Sequence, residues 1–562
     1  MPPSDIADAL PLLRCLGGNS PFLSSLALRQ PTAIRDVWTR GPDDAFAHVL
    51  SSLTHVNILA KRAEIAAALR QTKREAALVI AIADIGGLWP LETVTGALSR
   101  LAEATIGLAL RHLLGTAHAA HEITLSDPEH PDTDCGFVAL GMGKLGAAEL
   151  NYSSDIDLIL IYDASAPAYA SGRAANNIGS FTSRLARDLV TLMEARDANG
   201  YVFRTDLRLR PDPAATPPAV ALQSALTYYE SMGQNWERTA MLKARPVAGD
   251  LGLGQRFLHA IRPFVWRRGL DFAAVADIHA MKRRINAAKK LTRDPAGHLG
   301  GFNVKLGEGG IREVEFIAQT LQVVWGGRDP SLRLRATLPA LARLTEKGHL
   351  SPTASARLSE SYRFLRQVEH RLQMVNDRQT HTLPEQESDL AQIACFMGYP
   401  DLASFLFNLR WHLQQVRASY HDVFEVTGAA PELDFRGDDP DASATADQLR
   451  DMGFTDPARV INCVRQWYAG RVRALRSSRA QELMNTVLPA VVAELAKQPD
   501  PDEAFGRFDR FISALPAGVQ PMSLFHHNPI LLERLAAVLG AAPRLADHLT
   551  RYPNAMEGLL SS

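Results

Sequence analysis

The chain has 562 residues, 46% apolar and 22% charged, with 60 lysines and arginines against 61 aspartates and glutamates. At roughly 150 residues per domain this length predicts three or four domains, and the composition excludes wholesale disorder. A net charge of −1 leaves no global field to draw the chain onto nucleic acid or anionic lipid. Cys15, Cys135, Cys395 and Cys463 stand far apart without a C-x-x-C, which argues against a disulfide framework and a cysteine zinc site. The opening MPPSDIADALPLLRCLGG lacks a basic segment followed by an apolar one. The apolar run from Ala76 stops at Asp84, short of the roughly 20 residues a membrane span needs. A soluble, cytoplasmic protein is expected, with no membrane and no nucleic acid as partner.

Residues 1–125 read as successive helices. AEIAAALRQTKREAALVIAIADI has apolar residues at helical spacing, and Pro90 opens LETVTGALSRLAEATIGLALRHLL. The Pro/Asp-rich break SDPEHPDTD begins an α/β segment, 126–250, in which GFVAL, DLILIYD and YVFRTDLRLR have strand character. Residues 251–427 return to long helical patterns with short connections, the signature of an antiparallel bundle. GAAPELDFRGDDPDASATAD, 428–447, has linker composition, and 448–562 is again helical. The fold class is therefore mainly α with one α/β domain, a helical N-terminal region and C-terminal helical bundles.

The chemistry concentrates in VALGMGKLGAAELNYSSDIDLILIYD, residues 138–163. A Walker A loop fails, because position 138 is Val and Leu145 follows Lys144. Gly141, Gly143 and Gly146 spell G-x-G-x-x-G, with Asp163 as a conceivable ribose ligand, but only eight residues separate Gly146 from Asp155. A parallel crossover needs a real helix there and does not fit.

Strand periodicity instead places Asp155 and Asp157 on one face, with Ile156, Leu158 and Leu160 on the other. Two adjacent carboxylates are costly without a cation between them, and Mg²⁺ completed by nucleotide phosphates suits them. Gly141 and Gly143 would let backbone approach the phosphate. In YVFRTDLRLRP, alternation puts Arg204, Asp206, Arg208 and Arg210 on one face, so Asp206 is the expected third ligand. A salt-laced exposed edge is the plainer alternative for that strand, and solvated strand-cap aspartates for the first pair.

GMGKLGAAELNYSSDIDL resembles the nucleotidyltransferase signature of the glutamine synthetase adenylyltransferase family, bifunctional enzymes that add AMP to and remove it from glutamine synthetase. VFRTDLRLRPD, WERTAMLKARPVAGD, GGIREVEFIAQ and RQVEHRLQMVNDRQTHTLP resemble further blocks in family order. Ala147 and Pro213 depart from a glycine found in many members at each position. The resemblance implies a polymerase-β-like nucleotidyltransferase fold for 126–250. Because only one S-D-x-D signature is present, it also implies the N-terminal, adenylyl-removing unit.

The implied reaction is phosphorolysis of tyrosyl-AMP on adenylylated glutamine synthetase, with inorganic phosphate as attacker and ADP as product. Asp155, Asp157 and Asp206 would be catalytic and hold Mg²⁺. Gly143, Lys144, Ser154, Arg204, Arg208 and Lys243 would contact nucleotide or phosphate, with a PII-type signalling protein as regulator. AMP transfer from ATP, or a catalytically silent binding module, are the alternatives.

Lys144 reads almost equally well as a surface lysine, and Lys243 or Arg245 as structural salt bridges on a helix. Arg312, Glu315, Gln319 and Gln322 share one polar arc of a helix, which faces either the catalytic cleft or solvent. Glu369, His370, Gln373 and Asp377 form a polar bundle seam rather than, with His381, a zinc site.

Overall fold

In the computed structural model the described residues are 6–267, 299–424, 433, 435, 444–527, 529–553 and 555–556. Five strands form one sheet: β1 (Phe137–Gly141), β2 (Asp155–Tyr162), β3 (Arg204–Asp206), β4 (Ala219–Ala221) and β5 (Arg245–Gly249). The order is β3-β2-β1-β5, with β4 also pairing β2. β1 runs antiparallel to both β2 and β5, whereas β3 and β4 run parallel to β2. The antiparallel β1–β2 pair, joined by 142–154, is incompatible with a dinucleotide-binding βαβ unit, as the short connection requires. β1 is buried along its whole length. β2 alternates only at its start, where Asp155 and Asp157 emerge on either side of buried Ile156.

Long helices surround the sheet. Arg62–Ile85 and Leu91–Ala119 carry the aliphatic faces read from the sequence, and Pro90 does precede the second. Ile65, Leu69, Val79, Leu98, Leu101 and Leu108 join strand residues such as Leu158 and Leu160 in one core. Fully burying such side chains contributes on the order of 1.5–3 kcal/mol each. Within the region expected to form a bundle, the described helices include Ile311–Trp325, Thr337–Glu346, Pro352–Met374, Glu387–Phe396 and Leu402–Phe424.

The described residues divide into two compact units, one within 6–267 and 299–419 and the other within 420–556. The first therefore holds the N-terminal helices, the sheet and most of the bundle together. In the second, helices between Ala444–Asp451 and Pro543–Arg551 pack around buried Trp467. That indole stacks on Phe505 at 5.5 Å and donates to Asp509 at 2.7 Å. Most of the expected linker, 428–447, lies outside the described residues. No helix among the described residues is long and apolar enough to cross a membrane.

Two expectations change. The strand expected over 201–210 is only Arg204–Asp206, because the Asp206 carboxylate accepts the Arg208 backbone N–H at 2.8 Å and turns the chain. Arg210 then donates to the carbonyls of Leu207 and Pro213, so 207–210 do not alternate. The helix expected through Lys243 ends at Met241, and Arg245 instead opens β5.

Candidate active site

The parallel register of β2 and β3 sets Asp155 beside Arg204 and Asp157 beside Asp206. Three acidic positions separated by up to 51 sequence positions thus stand at one end of two neighbouring strands. Asp155 accepts from Arg204 Nε at 2.6 Å. Arg204 also donates to Tyr201 Oη at 2.5 Å and Ser153 Oγ at 3.3 Å, which fixes the guanidinium. Asp206 accepts from Arg208 Nε at 2.9 Å, and this contact holds its carboxyl below the ordinary range. Arg208 is otherwise exposed, with 84% of its side chain open to solvent.

Asp157 differs from its neighbours. Its carboxylate makes no hydrogen bond among the described residues and lies against Gly143, where a Cβ would approach Oδ2 to 3.0 Å. Burial, and next the charge of Asp206, push Asp157 up to about 6, with Asp155 adding and Lys305 opposing. Gly143 has φ +50, so a side chain there would meet both backbone strain and the carboxylate. Gly146 closes the same loop with no room at all, since its Cβ would lie 2.0 Å from the Lys243 carbonyl.

This donor set suits a hard divalent cation: oxygen-only ligands, like charges in adjacent register, and one carboxylate without a compensating donor. Among the described residues no group of three or more acidic, imidazole or thiol side chains is placed to hold a metal ion. Arg204 and Arg208 occupy two of the three carboxylates and would have to yield for all three to ligate. Ser154, half-buried, directly precedes β2.

The structure takes two expected phosphate contacts elsewhere. Lys144 is nearly buried in an ion pair with Glu315 and donates to Tyr362 Oη at 3.1 Å. Lys243 pairs with Glu149 at 3.3 Å. Glu149 also accepts from the Thr337 N–H at 2.7 Å. Of the polar arc on Ile311–Trp325, Arg312 is exposed, Glu315 holds Lys144, and Gln322 is buried on the carbonyls of Leu332 and Leu334 at 2.7 Å. Of the seam, Glu369, His370 and Gln373 are buried on Pro352–Met374, whereas Asp377 lies beyond the end of that helix and is half-buried. Glu369 faces His381 at 2.7 Å and Arg366 at 3.2 Å, and Gln373 accepts from the Ser153 N–H at 2.8 Å.

Lys305 was not singled out by spacing. It is held 3.8 Å from Glu369 and bears electrostatically on Asp157. Its position inside the glycine-rich GFNVKLGEGG was the available signal.

Residues 10–260 match the family model described as glutamate-ammonia ligase adenylyltransferase, and 279–424 match one described as GlnD PII-uridylyltransferase. Through its N-terminal region the chain belongs to the glutamate-ammonia ligase adenylyltransferase family. A protein of Brucella suis named bifunctional glutamine synthetase adenylyltransferase/adenylyl-removing enzyme is 44% identical over 551 residues, covering 96% of this chain and 55% of that protein. Proteins of the same name from Rhizobium meliloti and Rhodopseudomonas palustris are 46% identical over 508 residues and 43% over 553. These alignments cover 89% and 98% of this chain, and 50% and 55% of those proteins. The chain spans about half the length of the curated relatives it matches.

Proposed function

We propose that this chain removes AMP from adenylylated glutamine synthetase by phosphorolysis, and that it is the adenylyl-removing unit of a longer bifunctional architecture. The observation that carries the catalytic reading is the register of Asp157 with Asp206 beside Asp155, which concentrates negative charge next to a glycine loop. The names of the relatives supply the substrate, and the S-S-D-I-D wording supplies the choice of unit.

In the reaction, an oxygen of inorganic phosphate attacks the phosphorus of the tyrosyl-AMP diester. The new P–O bond makes ADP, the bond to the tyrosyl oxygen breaks, and the proton of the attacking phosphate passes to that oxygen. Mg²⁺ held by Asp155, Asp157 and Asp206 would supply charge neutralisation at the phosphoryl oxygens. Arg208, exposed at the surface, is placed to exchange Asp206 for a phosphate oxygen, and Arg204 to orient Asp155. Gly143 keeps the loop open beside Asp157. Lys144 and Lys243 serve the positioning of that loop through Glu315 and Glu149. A PII-type protein is the proposed regulator, in keeping with the uridylyltransferase match over 279–424.

The test is incubation of adenylylated glutamine synthetase with the chain, phosphate and Mg²⁺. ADP release that stops in EDTA supports the reading. Pyrophosphate release from ATP without ADP from the phosphate reaction would assign AMP transfer instead, the activity in the matched family's description. Asp157→Asn should lower the rate at least on the order of 10³-fold, because it removes charge stabilisation at the reacting phosphorus. Unchanged turnover would remove Asp157 from the catalytic machinery, and no turnover by the wild-type chain in either assay would leave a silent binding module.

A further inference from the structure

β5 lies at the opposite edge of the sheet from β3. Beside it, a cavity of about 670 Å³ opens between the strand, Leu251–Ala260, Arg262–Val265 and the segment around Arg333. This volume is in the range of small-molecule sites. Four arginines line it, Arg245, Arg262, Arg333 and Arg335, together with His259, and no aspartate or glutamate does among the described residues.

Only Arg245 among the four has a carboxylate partner among the described residues, Glu103 at 2.5 Å. Arg262 has no hydrogen bond or ion pair there, and Arg335 spends one N–H on the Ala244 carbonyl at 2.8 Å. Arg333 is anchored by the Gly326 carbonyl at 2.7 Å and lies over the Trp266 ring at 5.3 Å. Gly326 packs closely on the same ring, since a Cβ there would lie 2.4 Å from it. Leu242, Leu258 and Ile261 complete an apolar wall. Burial, and then the like charge of a neighbouring arginine, lower the pKa of both Arg333 and Arg335. Clustered guanidinium groups, one of them ion-paired and two held by backbone carbonyls, are complementary to planar oxyanions.

We propose that this cavity is a binding site, separate from the carboxylate centre, for a small polyanion bearing at least two carboxylate or phosphate groups on an apolar or planar body. The site has a physical route to the catalytic loop. Arg245 donates to the Gly146 and Leu145 carbonyls at 3.2 and 3.1 Å, so a ligand that recruits this side chain acts on the loop carrying Gly143.

Titration calorimetry of the full chain in EDTA, with citrate, inorganic tripolyphosphate and ATP as probes, tests the site. At least one probe is expected to bind with a dissociation constant below about 1 mM, and to bind the D157N chain within about twofold of the same affinity. Citrate against tripolyphosphate separates carboxylate from phosphate ligands, and ATP against tripolyphosphate reads the apolar wall. R262Q should weaken binding about tenfold, the value of one charge-assisted hydrogen bond. R262Q with R335Q should weaken it further, and the partnerless, exposed Arg262 makes the single variant safe for folding. Absence of binding by all three probes, affinities unmoved by R262Q, or binding abolished in D157N would each overturn the proposal.

Discussion

Asp157 stands apart because its neighbours have taken the available cations. Arg204 neutralises Asp155 and Arg208 neutralises Asp206, which leaves Asp157 facing like charge beside Gly143. Its carboxyl is raised from 3.8 to about 6, so in the metal-free protein the neutral form is favoured by folding. The stability it contributes is therefore complete below about pH 4 and is lost as pH rises through about 6. Melting curves in EDTA between pH 4 and 7 should show the wild type losing stability relative to D157N over that window. Mg²⁺ binding should strengthen over the same interval, because the ligand must be deprotonated. A pH-independent difference between the two proteins would contradict the arrangement. Gly143→Ala should lower activity more than stability, since its Cβ would meet the carboxylate rather than the core.

At the scale of elements, Pro352–Met374 does most to join the parts of the first unit. Arg366 donates to the Glu149 carbonyl at 2.7 Å and Gln373 accepts from Ser153, tying the helix to the loop before β2. Its end meets the C-terminus of Arg62–Ile85, where Asp84 contacts Arg371 at 3.1 Å and His370 at 3.0 Å, all buried. Burial alone would raise the Asp84 carboxyl, but Arg371 and then His370 override it and hold it at about 2. The stability from this depressed group is present above about pH 4 and lost as pH falls towards 2. Asp84→Asn leaves Arg371 without its buried counter-charge and should cost about 3–5 kcal/mol at neutral pH in denaturant melts. The cost should shrink below pH 3. The strand expected over 201–210 failed at this same scale, because a side chain capping its own backbone overrode period-two alternation.

At the scale of the molecule, three regions that composition separated share one compact unit, because ion pairs cross between them. Lys144 reaches Glu315, Arg245 reaches Glu103 at 2.5 Å, and Arg363 reaches Glu92 at 2.7 Å. Arg366→Ala should destabilise this unit by about 1.5–3 kcal/mol, since it removes one of the three cations around buried Glu369 together with the bond to the Glu149 carbonyl. Calorimetry should show sheet and bundle melting together at a lower temperature, and an unshifted transition would refute the coupling.

Much of the fold was legible in the chain because helices and strands have local periods. The spacing of Arg62–Ile85 and Leu91–Ala119, the strand character of β1 and β2, and the pairing of Asp155 with Asp157 on one face are consequences of neighbours within a few residues. The resemblance carried by G-M-G-K-L-G and S-S-D-I-D is equally local. Tertiary structure alone decided which charges answer which. Lys144 finds its carboxylate 171 residues away and His370 finds Asp84 286 away, distances at which no sequence period survives. An ion pair depends on two backbones meeting in space, and only the packed helices bring them there.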